Sequence, residues 1–260
     1  MANEIRTRVG AHNLSQPQID GLREAFTTIA GFKDNRSFGY IAGLHGTPGW
    51  YCWHHQQNRH SARVRQLFLP WHRAYLYTLE RSLRDISPQT MLPWWDWTLR
   101  PPRQDGMPKV FTDPAPNPLL RFHMRLTTSQ GVINRDTVRH PKPGNQLPTQ
   151  ADIDDCLGKP DWLDFCLALE DVHDGVHGWV GGDMGQVSLA AYDPVFWAHH
   201  TMIDRIWWLW QIKHGNGDIP ANLLDIVLAP FNFKVRDVLN VQSLGYDYAA
   251  ARRRITIAGP

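Results

Sequence analysis

From Asp161 to Gly178 the chain reads DWLDFCLALEDVHDGVHG, with Phe165, Leu169, His173 and His177 at every fourth position. Residues four apart stack on one face of an α-helix, so this spacing sets two imidazoles one turn apart at the end of an apolar stripe. Asp161 supplies an N-cap, and Gly178 supplies a stop. A helix that turns two histidines inward must pack against something that satisfies them. Three other segments share this helical character. Ser15 caps a helix running to about Phe32, with Pro17 in its first turn. Pro70 opens another, in which His72, Leu76, Leu79, Leu83 and Ile86 make one face. Asp193 and Pro194 start DPVFWAHHTMIDRIWWLWQIKHG, which Gly215 closes. Strand-like runs are few: ITIAG near the end, and the segment around LPWWDW. The expected fold class is mainly α with a few short strands, and histidines on three helices face inward.

His173 and His177 can both reach one cation. The zinc-peptidase motif needs a Glu directly after the first histidine, and Asp174 stands there instead. A third donor is available on the next helix, from His199 or His200. Neutral imidazoles suit copper or zinc. A second trio can be drawn from His45, one of His54, His55 or His60, and His72. Two all-histidine trios in one domain imply two ions close together. The 13 His and 12 Trp agree with a metal site walled by rigid aromatic surface.

The 260 residues show no internal repeat or linker, and the proline-rich stretches 101–118 and 141–148 are short enough to be loops, so a single domain over 1–260 is expected. A net charge of +2 argues against a nucleic-acid partner, and Arg252, Arg253 and Arg254 read as a solvated tail. No stretch approaches the length of a membrane span and the N-terminus has no apolar central region, so a soluble, cytoplasmic chain is expected. Three cysteines are too few for a disulfide framework, although Cys156 and Cys166 can close one small loop.

The strings FLPWHRAYLYTLE, LPWWDWT, LEDVHDGVHGW, DPVFWAHHTMIDRIWWLWQ and LGYDY resemble those of the tyrosinase, catechol oxidase and molluscan haemocyanin family of coupled dicopper proteins, from about His45 to Tyr248. The resemblance implies a four-helix bundle holding two copper ions that bind dioxygen between them. Copper A would take His45, His54 and His72; copper B would take His173, His177 and His200. It also implies a thioether between Cys52 and His54. The position nine residues before His72, common for the middle copper A ligand, is Arg63, which leaves His55 and His60 as the other candidates. Asp204 corresponds to an acidic residue that orients a copper ligand, and Phe196 buttresses the site. Glu170 and Asp174 would handle the phenol proton. Hydroxylating relatives often carry Asn where Asp174 stands, and Met202 replaces an Asn of the family's HHxN pattern. The expected activity is oxidation of o-diphenols or o-aminophenols to quinones or quinone imines, with weaker monophenol hydroxylation. A true tyrosinase and a haemocyanin-like oxygen binder are the alternatives. The chain ends soon after LGYDY, so no C-terminal covering domain is expected, which favours the enzyme. The partners implied are a small phenolic substrate and a copper-delivery protein, without nucleic acid or membrane. Arg59, Arg63 and Arg65, near copper A in sequence, could favour carboxylated substrates.

Overall fold

The computed structural model describes residues 5–53, 60–129, 131–216 and 218–249. Seven α-helices follow in order among them: α1 (Gln16–Ala30), α2 (Phe38–Gly43), α3 (Ala62–Arg65), α4 (Phe68–Arg84), α5 (Gln150–Gly158), α6 (Trp162–Val180) and α7 (Pro194–His214). Helix α4 packs against α1, α6 and α7, and α6 touches α7. These four long helices are the expected bundle.

Their ends follow the local chemistry. Ser15 precedes α1, and its backbone N–H donates to the Gln18 side chain at 2.9 Å. The Asp161 carboxylate accepts from Asp164 N at 2.9 Å, and Asp193 accepts from Val195 N at 2.9 Å. Helix α4 begins at Phe68, two residues before Pro70, because a proline in the first turn removes an N–H that has no intrahelical partner there. Gly178 does not stop α6. The helix continues through buried Trp179 and Val180 and ends at Gly181, whose φ of 62° is the conformation glycine adopts without strain.

Two short sheets complete the fold. Strands β2 (His123–Thr128) and β3 (Gly131–Asp136) form an antiparallel hairpin. Strands β1 (Arg6–Arg8) and β4 (Tyr246–Tyr248) pair in parallel, with Arg6 opposite Tyr246 and Arg8 opposite Tyr248. The LPWWDW segment contributes a single bridge, Trp94 to Gly10, rather than a strand, and ITIAG lies outside the described residues. Cys156 and Cys166 remain buried thiols rather than a disulfide. Among the described residues no helix is long and apolar enough to cross a membrane.

The β1–β4 pair delivers Arg8 into the bundle. Arg8 Nε donates to Glu80 at 2.9 Å and its Nη1 to Asp204 at 3.1 Å. Asp204 also accepts from Arg73 Nε at 2.5 Å, from the Tyr246 hydroxyl at 2.8 Å and from the Tyr248 hydroxyl. The expectation that Asp204 orients a metal-binding histidine is corrected here: both of its oxygens are taken by guanidinium and phenol donors from three elements. Its role is to tie α4, α7 and the two short strands together.

Candidate metal centre

Two groups of donors lie side by side in the bundle. The first brings together His45, Cys52 and His72; the second brings together His173, His177, His199 and His200. In each group the donor atoms lie within 4.8 Å of one another. His45 follows the end of α2, His72 sits in the first turns of α4, His173 and His177 share a face of α6, and His200 lies on α7. The groups adjoin through His72 and His200, whose rings stack at 4.2 Å between centroids and 14° between planes.

The proton positions follow from the partners. His45 Nδ1 faces Val187 O at 3.1 Å, His72 Nδ1 faces Phe68 O at 2.9 Å, and His177 Nδ1 faces Met184 O at 2.7 Å. A carbonyl oxygen only accepts, so each of these Nδ1 atoms carries its hydrogen and donates. His173 Nδ1 faces Asp174 Oδ1 at 3.0 Å and donates in the same way. Neutral imidazoles so fixed leave Nε2 as a bare lone pair. Burial favours the neutral form: it pushes His72 down to about 3 and lowers His177 and His200 below the usual histidine range.

The lone pairs of His173 and His177 converge on His200. His200 Nε2 lies 3.2 Å from His173 Nε2 and 3.3 Å from His177 Nε2. Two bare lone pairs aimed at one nitrogen are more than a single N–H on His200 can satisfy well, whereas a cation among the three nitrogens is bound by all of them. The donor set therefore fits a cation, and neutral imidazole on a dry aromatic wall suits copper. Each group can hold one ion.

His199, the other member of the HH pair, is engaged elsewhere: its Nδ1 accepts from Trp97 Nε1 at 3.2 Å, and its ring stacks on His173 at 5.1 Å. Trp97 thus fixes a ring behind the second group. Phe196 lies 4.1 Å from the His200 ring and 5.0 Å from His45, so it walls both groups. Phe68 does the same from α4, 5.0 Å from His72 and 4.8 Å from His173. Phe68 lies beyond the residues expected at the site, although the F-x3-H spacing of Phe196 and His200 repeats in Phe68 and His72.

His54 and His55, the middle candidates for the first group, lie outside the described residues, as does any bond between Cys52 and His54. Cys52 Sγ is 4.0 Å from His72 Nε2. His60 is on the surface.

A cavity of about 270 Å³ opens onto both groups. His45, His173 and His177 line it, with Asp174, Met184 and Val187. Glu170 is absent from this lining. Arg65 holds its carboxylate, Nη2 to Oε2 at 2.8 Å, while burial raises the Glu170 carboxyl to about 7 against the pull of that cation. The pairing also removes Arg65 as a free cation for carboxylated substrates. Asp174 is the carboxylate brought to the cavity.

The sequence model of the common central domain of tyrosinase matches residues 35–151 and 118–213. Haemocyanin units G and H of Sepia officinalis are 29% identical over 234 residues, covering 84% of this chain and 40% of that protein. Haemocyanin 2 of Megathura crenulata is 28% identical over 256 residues, covering 89% of this chain and 7% of that protein. The chain thus spans less than half the length of these curated relatives. A functional unit of octopus haemocyanin superimposes with a TM-score of 0.78 at 26% identity, over 94% of this chain and 68% of that one. Tyrosinase from Burkholderia thailandensis superimposes with a TM-score of 0.81 at 21% identity, over 95% of this chain and 75% of that one, a likeness of fold.

Proposed function

The chain belongs to the tyrosinase family of type 3 copper proteins, and from that premise we propose that it is a dicopper oxidase acting on o-diphenols or o-aminophenols. One observation carries the choice of an enzyme over an oxygen carrier. The cavity that touches both histidine groups also reaches Asp174, whose side chain is 64% exposed, and exposed Val187. A single aromatic ring can therefore approach from solvent and reach donors of both groups.

Two coppers held there would supply the redox chemistry, taking two electrons from the ring and passing them to dioxygen. The chain's own residues do the rest. Phe68 and Phe196 wall the histidines and exclude water. Val187, Phe68, Asp174 and Met184 lock the tautomers of His45, His72, His173 and His177, so that each presents Nε2. Asp174 lines the cavity and can take the hydroxyl proton of an incoming o-diphenol. The matched haemocyanins favour a second reading, reversible oxygen binding without turnover.

Oxygen uptake by the copper-loaded protein, measured beside its optical spectrum, separates the two. Continuous uptake is expected with catechol and o-aminophenol, with far slower uptake with phenol. An oxygen-dependent spectrum that reverses on degassing, with no uptake beyond one dioxygen per chain, would establish the carrier instead. Asp174 sets the balance between activities. A carboxylate only accepts hydrogen bonds, whereas an amide at that position still accepts from His173 and also donates to a water beside it. Asp174→Asn is expected to raise the monophenol to diphenol ratio severalfold; an unchanged ratio removes Asp174 from that role.

The Cys52–His54 thioether belongs to the same proposal. Mass spectrometry of the copper-loaded protein should find the peptide spanning both residues lighter by two hydrogens, with Cys52 resistant to alkylation after unfolding. Alkylation of Cys52 at full yield rules the bond out.

A further inference from the structure

A second cavity, about 830 Å³, lies away from the metal centre, between α1, α2 and the β2–β3 hairpin. Its volume falls in the range of roughly 300–1,000 Å³ usual for sites that take small organic molecules. Phe26 of α1, Phe38 of α2, Phe122 and Tyr192 give it aromatic walls. Gly39 lies in its wall, where a Cβ would stand 3.5 Å from the Phe122 ring, in ordinary contact, and a longer side chain would extend into the cleft. Tyr40 and Tyr51, 54% and 42% exposed, stand at its edge.

The charge of the lining is one-sided. Lys33, Arg121, His123 and Arg125 line the cavity, and no carboxylate does so among the described residues. Asp136 answers His123 at 2.8 Å and Arg121 at 3.7 Å. Lys33 and Arg125 are exposed and have no carboxylate partner among the described residues. An aromatic cleft rimmed by two uncompensated cations selects a ligand with an apolar body and a negative end. Leu44 lines this cavity while the adjacent His45 lines the metal cavity, so one segment of backbone separates the two.

We propose that this cavity is a binding site for an amphipathic carboxylate, a molecule with an apolar chain or ring and one carboxylate, distinct from the dicopper site. The proposal does not rest on the oxidase reading, because an oxygen carrier would present the same cleft.

Titration calorimetry of the copper-loaded protein with decanoate, below its micelle concentration, tests it, with decanol as the neutral counterpart. One decanoate per chain is expected, bound more tightly than decanol. Lys33→Glu combined with Arg125→Glu should weaken decanoate at least about tenfold, the effect of replacing two water-screened attractions by repulsions, while leaving decanol unchanged. Both positions are exposed, so the fold does not depend on them. Gly39→Leu should block both ligands while copper content and circular dichroism stay unaltered. Saturating azide, which competes for metal, should leave decanoate binding intact. Equal affinity for decanol and decanoate, unchanged decanoate affinity in the charge-reversed variant, or displacement by azide would each overturn the proposal. So would a dimer that decanoate dissociates, since the cleft would then belong to a second copy of the chain.

Discussion

His200→Ala is expected to reduce bound copper from two ions per chain to one or fewer and to abolish oxygen uptake with catechol. His200 Nε2 completes the second group with His173 and His177 at 3.2 and 3.3 Å, so its loss leaves two donors where three converge. The same ring stacks on His72 and packs against Phe196, so the first group loses a wall as well. Removing a partner that merely orients a ligand costs about 10–100-fold in metal affinity, and deleting the ligand itself should cost more than about a hundredfold. His199→Ala is the informative comparison. Its Nδ1 is occupied by Trp97, so that variant should keep both ions and lose activity only in part, through a looser His173 ring. Metal analysis and oxygen uptake on both variants decide the matter. Two coppers and full turnover in His200→Ala, with metal lost in His199→Ala, would exchange the roles of the two residues.

Local pattern made most of this centre legible. Histidines four apart on a capped helix must share a face, and the F-x3-H spacing carries an aromatic wall with each of His72 and His200. What local pattern could not carry has physical reasons. The resemblance implied a proton-handling role for Glu170, one turn before His173, but no local pattern shows that Arg65, more than a hundred positions away, pairs with its carboxylate. Gly178 reads as a stop because glycine is a poor helix former, yet Trp179 and Val180 beyond it are core residues, and their burial outweighs a local cost of about 1 kcal/mol. The β2–β3 hairpin escaped notice because its strands are mostly exposed and lack a continuous alternation of apolar residues. The β1–β4 pair joins segments from opposite ends of the sequence, and no local period can announce such a pairing. Helix α5 does carry a local mark, the Thr149 and Asp152 capping box.

That long-range pair underlies a second large effect: Asp204→Ala should destabilise the protein by about 3–5 kcal/mol, the cost of removing one partner from a buried ion pair. Arg8 and Arg73 are fully buried, and Glu80 and Asp204 are the carboxylates that balance them. Arg8 also lies 3.7 Å over the Tyr246 ring, and Arg73 lies 3.5 Å over Trp207, so neither guanidinium can swing into water without dismantling the core. Taking Asp204 away leaves two cations facing one carboxylate, deprives the Tyr246 hydroxyl of its acceptor and leaves the Tyr248 hydroxyl only the longer contact to Thr201 O at 3.3 Å. For a chain of this size the thermal midpoint should fall by roughly 6–20 °C. Asp204→Asn, which restores an acceptor without the charge, should fall between Asp204→Ala and the unaltered chain. Acid provides an independent check. Burial alone would raise the Asp204 carboxyl, but Arg73 and Arg8 overcome it and the folded value is lowered. Its contribution is therefore complete above the unfolded carboxylate value of about 4 and is lost as pH falls through the lower folded value, so Asp204→Ala should flatten the acid limb of the stability curve in that window. Asp225, paired with Lys234 and Arg236 on the surface, serves as the control, and its removal should leave the midpoint nearly unchanged. If Asp204→Ala and Asp225→Ala shift the midpoint equally, the buried network does not hold α4 to α7, and the alignment of the two histidine groups must rest on helix packing alone.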